Sequence, residues 1–183
     1  MAAPGSDPPL YPAHLEEHVT LTSGQIVSLR PIRTDDEEEH QDLLHHLTAQ
    51  DSRWRFFATV KAMDHNAISR FTCIDYDREM AFIATHRLPD GKNQTLGVVR
   101  SVIFADTHEA EFAIVVRSED KNHGLGWAMM QKMMRYLRER DIHRMFGEVL
   151  PDNHNMLTFV RSLGFESRFV AEDGVTKVWK DLS

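Results

Sequence analysis

One stretch near the middle of the chain carries the strongest structural signal. It reads Glu111-Phe112-Ala113-Ile114-Val115-Val116-Arg117, followed by the polar residues 118–123 and then by Gly124-Leu125-Gly126. The first part is apolar and rich in β-branched residues, which predicts a strand. Over residues 124–140, methionines and a leucine recur at helical spacing and predict a long helix whose methionine stripe packs in the core. A strand, a polar loop and a helix in this order are typical of α/β domains.

The segments on either side continue the alternation of strands and helices. Upstream, the patterns predict a hairpin over residues 19–21 and 26–29, a helix over 35–48 with a Thr34–Glu37 capping box, short helices over 52–58 and 65–71, and strands over 80–85, 96–104 and 110–116. Downstream, they predict a strand over 144–150, a helix over 155–163, and a hairpin over 166–170 and 176–179. The order predicts an α/β domain with a mixed sheet rather than a doubly wound one.

Length and composition suit one globular domain. The chain has 183 residues, of which 42% are hydrophobic and 27% charged, as in ordinary folded domains of this size. Residues 1–18 contain four prolines and predict a flexible tail or linker, which leaves residues 19–183 as the domain.

Charge and cysteine content exclude several classes of protein. The formal net charge of -7 disfavours nucleic acid and anionic membranes as partners, because phosphate binding requires an excess of cations. No apolar run approaches the ~20 residues of a transmembrane helix, and the N-terminal segment lacks the features of a secretory signal. The single cysteine, Cys73, excludes an intramolecular disulfide and is expected in the core. These features predict a cytoplasmic protein and specify no oligomeric state.

The glycines at the start of the long helix predict an anion site. The first N–H groups of a helix have no partner within it and favour a phosphate, and Lys121 and His123 would add a positive charge or a donor. An ordinary loop in which glycines allow tight packing is the alternative. No Gly-Lys-Ser/Thr follows, and Met129 stands where the dinucleotide fingerprint needs its third glycine, so neither of those phosphate loops is present.

Two motifs resemble the Gcn5-related N-acetyltransferase (GNAT) family. Lys121-x-x-Gly124-x-Gly126 is similar to its Gln/Arg-x-x-Gly-x-Gly/Ala loop, with lysine in the first position. Asn153-x-x-Met156-x-x-Phe159, ending in Leu163-Gly164-Phe165, is similar to its Asn-x-x-Ala-x-x-Leu-Tyr-x-x-x-Gly-Phe pattern. Residues 29–33, 53–57, 71–81 and 111–113 further resemble bacterial protein lysine acetyltransferases of the Pat type, in which the domain is often fused to an acyl-CoA synthetase-like or a regulatory domain.

The resemblance implies a fold, a cosubstrate and a set of site residues. It implies a GNAT-like, mostly antiparallel sheet flanked by helices, acetyl-CoA as cosubstrate, and direct transfer to a lysine of an AMP-forming acyl-CoA synthetase. Glu111 would be the general base, and the N–H of Ile114 or Val115 would bind the thioester oxygen. The other implied cofactor contacts are Val116, Lys121, Asn122, His123, Gly124, Leu125, Gly126 and Asn153. Val160 stands where many members carry a tyrosine acid.

The chemistry itself requires a base, because a lysine amine with a pKa near ~10.4 arrives protonated. The apolar neighbours of Glu111 predict partial desolvation, which would raise its pKa. The alternative is a solvated glutamate near a strand start, and Glu109 on the same face could share the task.

The remaining polar residues predict simpler roles. The spacings of His40, His45 and His46 do not converge on one ion, so the sequence predicts no metal and a wet helix face. Asn155 is expected to cap the following helix, although Asn153 could also do so, and Arg161 to face solvent. Residues 75–79 form either a solvated loop or a reader of a basic target surface.

The sequence therefore predicts an acetyl-CoA-dependent N-acetyltransferase acting on protein lysines. One alternative is a small-molecule amine N-acetyltransferase whose pocket walls come from residues 54–57 and 71–78. Another is a non-catalytic, acyl-CoA-binding regulatory module.

Overall fold

A computed structural model describes residues 10–56 and 65–183. Within these residues the strands are β1 (Glu17–Thr20), β2 (Ile26–Pro31), β3 (Glu79–Arg87), β4 (Asn93–Phe104), β5 (Glu109–Val116), β6 (Arg144–Val149), β7 (Glu166–Val170) and β8 (Val175–Asp181). The helices are α1 (Glu37–His45), α2 (Ala49–Phe56), α3 (His65–Thr72), α4 (Leu125–Glu139) and α5 (His154–Ser162). The predicted order of elements is confirmed.

The described strands form one sheet in the order β1-β2-β3-β4-β5-β6-β8-β7. Each neighbouring pair is antiparallel except β5 and β6, which are parallel. This pairing is short, since it runs only from Glu109↔Arg144 to Glu111↔Phe146, although both strands continue beyond it. The sheet is therefore mixed and mostly antiparallel, as predicted, and it opens between β5 and β6.

Helices cover both faces of the sheet. On one face the methionine stripe of α4 is fully buried, with Met129, Met130 and Met133 each 0% exposed in a cluster that includes Phe112 and Ile114 of β5. On the other face Leu43 of α1 belongs to a second cluster, which includes Val115. Alternate residues of β5 thus enter opposite layers, as a strand buried on both sides requires. The prediction that the methionines are core residues is confirmed.

The first helix starts differently from the prediction. No Thr34–Glu37 capping box precedes α1. Instead, a 3-10 turn, Thr34–Asp36, leads into the helix, and the Asp36 carboxylate accepts hydrogen bonds from the Arg33 N–H (2.6 Å) and the Arg30 guanidinium (2.6 and 2.8 Å). The buried Arg30–Asp36 pair holds the entry of α1 against β2, which a local capping pattern does not reveal.

The chain also packs earlier than its composition predicted. Strand β1 begins at Glu17, and the Tyr11 hydroxyl donates to Glu16 (2.7 Å) and to the Pro31 carbonyl (3.2 Å). Residues 1–9 and the end of the predicted 52–58 helix lie outside the described residues. No helix in the described ranges has the length and apolar character needed to cross a bilayer.

Two single-residue predictions are wrong. Cys73 is exposed rather than in the core, because it follows α3 at the end of the helical layer. His40 is buried, 3% exposed, and packs against Phe71 with ring centroids 5.8 Å apart. Burial lowers the pKa of His40 to about 4, and the positive charges of Arg100 and Arg55 act in the same direction.

Candidate active site

The opening between β5 and β6 exposes one edge of β5. The Arg117 N–H donates to the Leu96 carbonyl (2.7 Å), on the side of β4. Because backbone groups alternate along a strand, the N–H of Val115 also faces β4, whereas that of Ile114 faces β6. The Phe112 carbonyl confirms this alternation, since it lies 3.1 Å from the position a Cβ would take on Gly147 of β6. Two backbone N–H groups, those of Ile114 and Val115, are predicted to bind the thioester oxygen. Of these two, only the N–H of Ile114 points into the opening.

The opening belongs to a cleft of about 830 Å³. Its walls come from β5, β6, the loop before α4, and the N-terminal parts of α4 and α5, and α2 adds a further wall. The predicted site residues that line it are Glu111, Ile114, Val115, Val116, Lys121, Asn122, Gly124, Gly126 and Asn153. The structure thus brings residues from four separate elements to one place.

Two predicted site residues have side chains elsewhere. Leu125 is 1% exposed and packs in the core with the methionine stripe. His123 is exposed, and its carbonyl accepts hydrogen bonds from the Thr22 hydroxyl (2.8 Å) and the Thr22 N–H (3.3 Å). Neither side chain lines the cleft, so any contact from these positions to a ligand there would come from the backbone.

The N-terminus of α4 has the geometry of an anion site. Gly124 adopts a left-handed conformation, φ 84°, which a residue with a Cβ rarely takes, and it caps the helix without a side-chain hydrogen bond. The first helical bond runs from the Ala128 N–H to the Gly124 carbonyl (3.0 Å). The N–H groups of the three preceding residues have no acceptor within the helix, so they can bind an anion in the cleft.

Lys121 is already engaged within the protein. Its ammonium donates to the Asp51 carboxylate of α2 (2.5 Å), which also accepts from the Ser118 hydroxyl. Burial alone would raise the pKa of Asp51, but the hydrogen bonds from Lys121 and Ser118 outweigh it and hold the pKa below its usual range. Lys121 lines the cleft as one member of an ion pair with Asp51, and its contact with a phosphate stays a prediction.

Helix α2 bridges the two walls of the cleft, and the sequence did not predict this. At one end Asp51 holds the loop before α4. At the other, the Arg53 guanidinium and the Trp54 indole N–H donate to Asp152, at 2.8 and 3.3 Å. Asp152 lies in the turn that leads into α5, so α2 connects the helix starts on both sides.

Glu111 lies at the end of the paired part of β5. It lines the cleft and is exposed, so the desolvation expected from its apolar neighbours in sequence is not observed. Its neighbours Phe112, Ile114 and Val115 are buried in the two core clusters, whereas Glu111 is exposed. Arg55 of α2 lines the same cleft; burial lowers its pKa to about 10, Arg100 adds to the effect, and the Glu111 carboxylate opposes it. Glu109 differs, since its carboxylate lies 3.8 Å from the Arg144 guanidinium.

Comparison with known proteins identifies the family. The model of the acetyltransferase (GNAT) domain matches residues 27–166, which is most of the chain. The chain belongs to the GNAT acetyltransferase family. It is an acetyl-CoA-dependent N-acetyltransferase, and the fold, the cleft and the motif positions agree with this assignment.

Similar proteins support the narrower resemblance to the Pat type. The GNAT domain of S. lividans PAT has 29% identity and a TM-score of 0.85, with 94% of this chain and 99% of that chain covered. Acetyltransferase PA5475 of Pseudomonas aeruginosa is 24% identical over 147 residues, which are 80% of this chain and 78% of that protein. A cAMP-binding acyltransferase from Mycobacterium smegmatis shares the fold, with 19% identity and a TM-score of 0.62. The match covers 92% of this chain and 47% of that chain.

The second GNAT motif is arranged differently from the prediction. Asn153 is buried and caps α5, because its side-chain oxygen accepts from the Met156 N–H (3.1 Å). Asn155, the expected cap, lies inside α5, is exposed and lines the cleft. Val160 is 1% exposed in the core, so the position of the usual tyrosine carries no hydroxyl. Arg161 is exposed, as expected for the solvent face.

Several cleft residues of this GNAT domain were missed from the sequence. They are Asp51, Trp127, Asn155, Thr158 and Phe159, whereas the sequence predicts Trp54 and Arg55 as pocket walls only in the small-molecule alternative. Trp127 offered a signal, because it directly follows Gly126 and lies outside the methionine stripe. Asp51 offered none, because only the tertiary structure brings it to the cleft.

Among the described residues, one group of histidine and acidic side chains is close enough to share an ion. His108, Asp141 and His143 are exposed, and their potential ligand atoms lie within 4.8 Å of one another. His143 hydrogen-bonds the Asp141 carboxylate (2.9 Å) and His108 the Asp141 carbonyl (2.8 Å). The group lies where β5 and β6 begin, at the opposite end of β5 from the α4 loop.

Proposed function

We propose that this GNAT enzyme transfers the acetyl group of acetyl-CoA to a lysine side chain of a protein. The observation that carries the proposal is the exposure of Glu111 on a face of the sheet that the described helices leave partly open. A small free amine is normally bound in a pocket that encloses most of its surface. An open face with a carboxylate at its centre instead suits an amine that is presented by a larger partner.

The open face consists of apolar side chains around Glu111. The strand registers place Val102 beside Glu111 and Phe146 on its other side, with Trp179 next to Phe146. Val102 is 40% exposed, and Phe104, 43% exposed, stacks on Phe146 with ring centroids 6.1 Å apart. A lysine side chain combines an apolar stem with a charged head, so its stem suits the aromatic rings and its ammonium suits the carboxylate.

The cofactor contacts follow from the geometry of the cleft. The N–H groups of Leu125, Gly126 and Trp127 would bind the diphosphate at the start of α4. The pantetheine arm would lie in the opening between β5 and β6, beside Asn153. Its thioester oxygen would then accept a hydrogen bond from the Ile114 N–H, the group that faces the opening.

The chain's residues would carry the reaction as a direct transfer. Glu111 accepts a proton from the lysine ammonium, directly or through a water. The freed nitrogen forms a bond to the acetyl carbon and loses its second proton to solvent, and the carbon–sulfur bond breaks, so CoA leaves as the thiolate. Glu111 then returns its proton to solvent. The Ile114 N–H stabilises the negative charge that develops on the acetyl oxygen. Val160 supplies no proton to the thiolate, which takes its proton from solvent.

The Pat-type resemblance supports an AMP-forming acyl-CoA synthetase as the protein acceptor. The supporting similarity is that of the S. lividans PAT GNAT domain, which spans nearly all of both chains. Such synthetases share the cytoplasm with acetyl-CoA, which is the compartment that the single reduced cysteine also favours.

The experiment compares acceptors directly. The protein is incubated with acetyl-CoA and either an intact AMP-forming acyl-CoA synthetase or a panel of free amines, including spermidine and amino acids. We expect acetyl-lysine in the synthetase, measured by mass spectrometry, and little release of CoA with the free amines. Faster turnover of a free amine would support the small-molecule alternative. Binding of CoA by calorimetry without turnover of any acceptor would support the regulatory module.

A further inference from the structure

The cleft is lined at the starts of α4 and α5 as well as along the strands. Besides α2 and the loop before α4, its lining includes a strand group on β5 and β6 and a helix group on α4 and α5. The helix group consists of Trp127, Asn155, Met156, Thr158 and Phe159 together with Gly126. A Cβ on Gly126 would lie 3.3 Å from the Phe159 ring, so the glycine lets α4 and α5 approach closely at this point.

The chemistry of acetyl-CoA gives the helix group a ligand, and this step rests on the proposed function. Acetyl-CoA is a linear molecule in which a diphosphate separates the acyl-pantetheine from a phosphorylated adenosine. If the diphosphate binds at the start of α4 and the acetyl group lies near Glu111, the strand group holds the pantetheine. The adenosine then leaves the diphosphate on the other side, where the helix group lies.

Trp127 is a large apolar side chain that lies outside the buried stripe of α4 and is exposed to solvent. It is 54% exposed, whereas the other aromatic residue of α4, Tyr136, is 6% exposed and packs in the core. A large apolar side chain left in water is an informative exception, and a flat indole at the rim of a cleft marks a binding surface. Side chains on a helix lean toward its N-terminus, so the indole lies beside the anion site rather than away from it.

We propose that Trp127 is a stacking platform for the adenine ring of the cosubstrate. The indole would cover one face of the purine, and Asn155 and Thr158 on the facing helix offer an amide and a hydroxyl to its polar edge. Any nucleic-acid base can stack on an aromatic side chain because each base has a flat face. The side chain must itself be a planar ring. Trp127 thereby makes the enzyme prefer acyl thioesters that carry a nucleotide over those that end at pantetheine.

The test uses Trp127→Leu and Trp127→Phe in the full chain, with two acetyl donors. With acetyl-CoA, we expect Trp127→Leu to raise KM and the Kd roughly 10-fold, with kcat close to that of the parent. With acetyl-pantetheine, which has no adenine, the variant and the parent should have the same KM. Trp127→Phe should restore part of the affinity for acetyl-CoA. The adenine-containing fragment 3′,5′-ADP should quench tryptophan fluorescence in the parent and not in Trp127→Leu.

Phe169→Leu is the matched control, because Phe169 is 56% exposed and does not line the cleft. The proposal is overturned if Trp127→Leu binds CoA within twofold of the parent, or if it loses acetyl-pantetheine and acetyl-CoA equally. The second result would mean that Trp127 shapes the loop instead of contacting adenine. A parent protein that binds neither CoA nor 3′,5′-ADP would overturn the proposed function and the platform together, whereas normal CoA binding with an inert Trp127 would overturn the platform alone.

Discussion

At the scale of single residues, two glutamates on one strand face have different surroundings. Glu111 and Glu109 are two residues apart on β5 and point the same way. Glu109 is partly buried and near Arg144, whereas Glu111 is exposed beside the opening of the sheet. The difference supports the proposed base role of Glu111, and we expect a structural role for Glu109.

Replacing Glu111 tests this assignment. We expect Glu111→Gln to lower kcat by ~10²–10⁴-fold, since a positioned general base contributes about that much. Its Kd for acetyl-CoA should be unchanged, because the carboxylate acts on the acceptor amine. Steady-state kinetics and calorimetry measure the two quantities. Glu109→Gln is the control and should keep most of the activity; an equal loss in both variants would mean that the two carboxylates share the proton transfer.

His40 makes the stability of the protein depend on pH. Its pKa is lowered to about 4 in the folded protein, against 6.5 for the free side chain. Between these two pKa values, His40 binds a proton in the unfolded chain but not in the folded protein. The free energy of unfolding therefore falls as the pH drops below 6.5. Between pH 7 and pH 5 we expect a loss of about 2 kcal/mol from this residue.

The variant His40→Leu should remove that dependence. The ring Nδ1 has no hydrogen-bond partner among the described residues, so an apolar side chain at this position should keep or improve stability at pH 7. Urea denaturation at the two pH values measures the effect. His45→Leu, on the exposed side of the same helix, should retain the full pH dependence; its disappearance there would show that another group is responsible.

At the scale of the elements, the start of α5 shows what local patterns can decide. Two asparagines two residues apart both fit a helix cap by sequence, and the structure selects Asn153, whose side chain accepts from the Met156 N–H. The choice depends on where the turn after β6 ends. Asp152 in that turn contacts Arg53 and Trp54 of α2, which are distant in sequence.

Substitution of each asparagine separates the two roles. Asn153→Ala should lower the free energy of unfolding by about 1 kcal/mol, because the first turn of α5 loses its cap. Asn155→Ala should change it by no more than about 0.5 kcal/mol, since the residue is exposed inside the helix. Chemical denaturation gives both values. A larger effect at Asn155 than at Asn153 would contradict the observed cap.

Local patterns predicted most elements but few of the contacts between them. The strand, loop and methionine-striped helix were predictable because their periodicities are set within about 30 residues. The Lys121–Asp51 bond joins residues 70 apart in sequence, and nothing near either residue indicates the other. Burial of His40 and exposure of Cys73 were mispredicted for the same reason, since each depends on where the helical layer ends over the sheet.

At the scale of the whole molecule, the helices that the structure describes leave part of one sheet face open around Glu111. Helices α1 and α3 cover the part of that face formed by β2, β3 and the first half of β4. Beyond it, Phe104 and Phe146 stack in the open. The asymmetry places Glu111, the proposed base, at the border between a packed core and a surface that a partner can cover.

A positive charge added to this open face should weaken the reaction with the protein acceptor and leave the use of acetyl-CoA unchanged. We expect Phe104→Lys to lower kcat/KM for a protein acceptor by at least ~10-fold, as for a central interface residue. The added ammonium would repel the incoming lysine, while KM for acetyl-CoA stays unchanged. Phe169→Lys is the control, because the β7–β8 register places Phe169 on the opposite face. Equal activity of both variants would show that the acceptor approaches elsewhere.

The seam between β5 and β6 has a consequence for cohesion. Only three residue pairs join the two strands, so the backbone of the sheet is nearly divided into a plate of five strands and a plate of three. The pantetheine arm of the cosubstrate carries amide groups. In the opening between β5 and β6 it would hydrogen-bond to both strand edges and act in part as a ninth strand. Bound acetyl-CoA would then stabilise the sheet. Release of CoA after each turnover would remove that stabilisation until the next molecule binds.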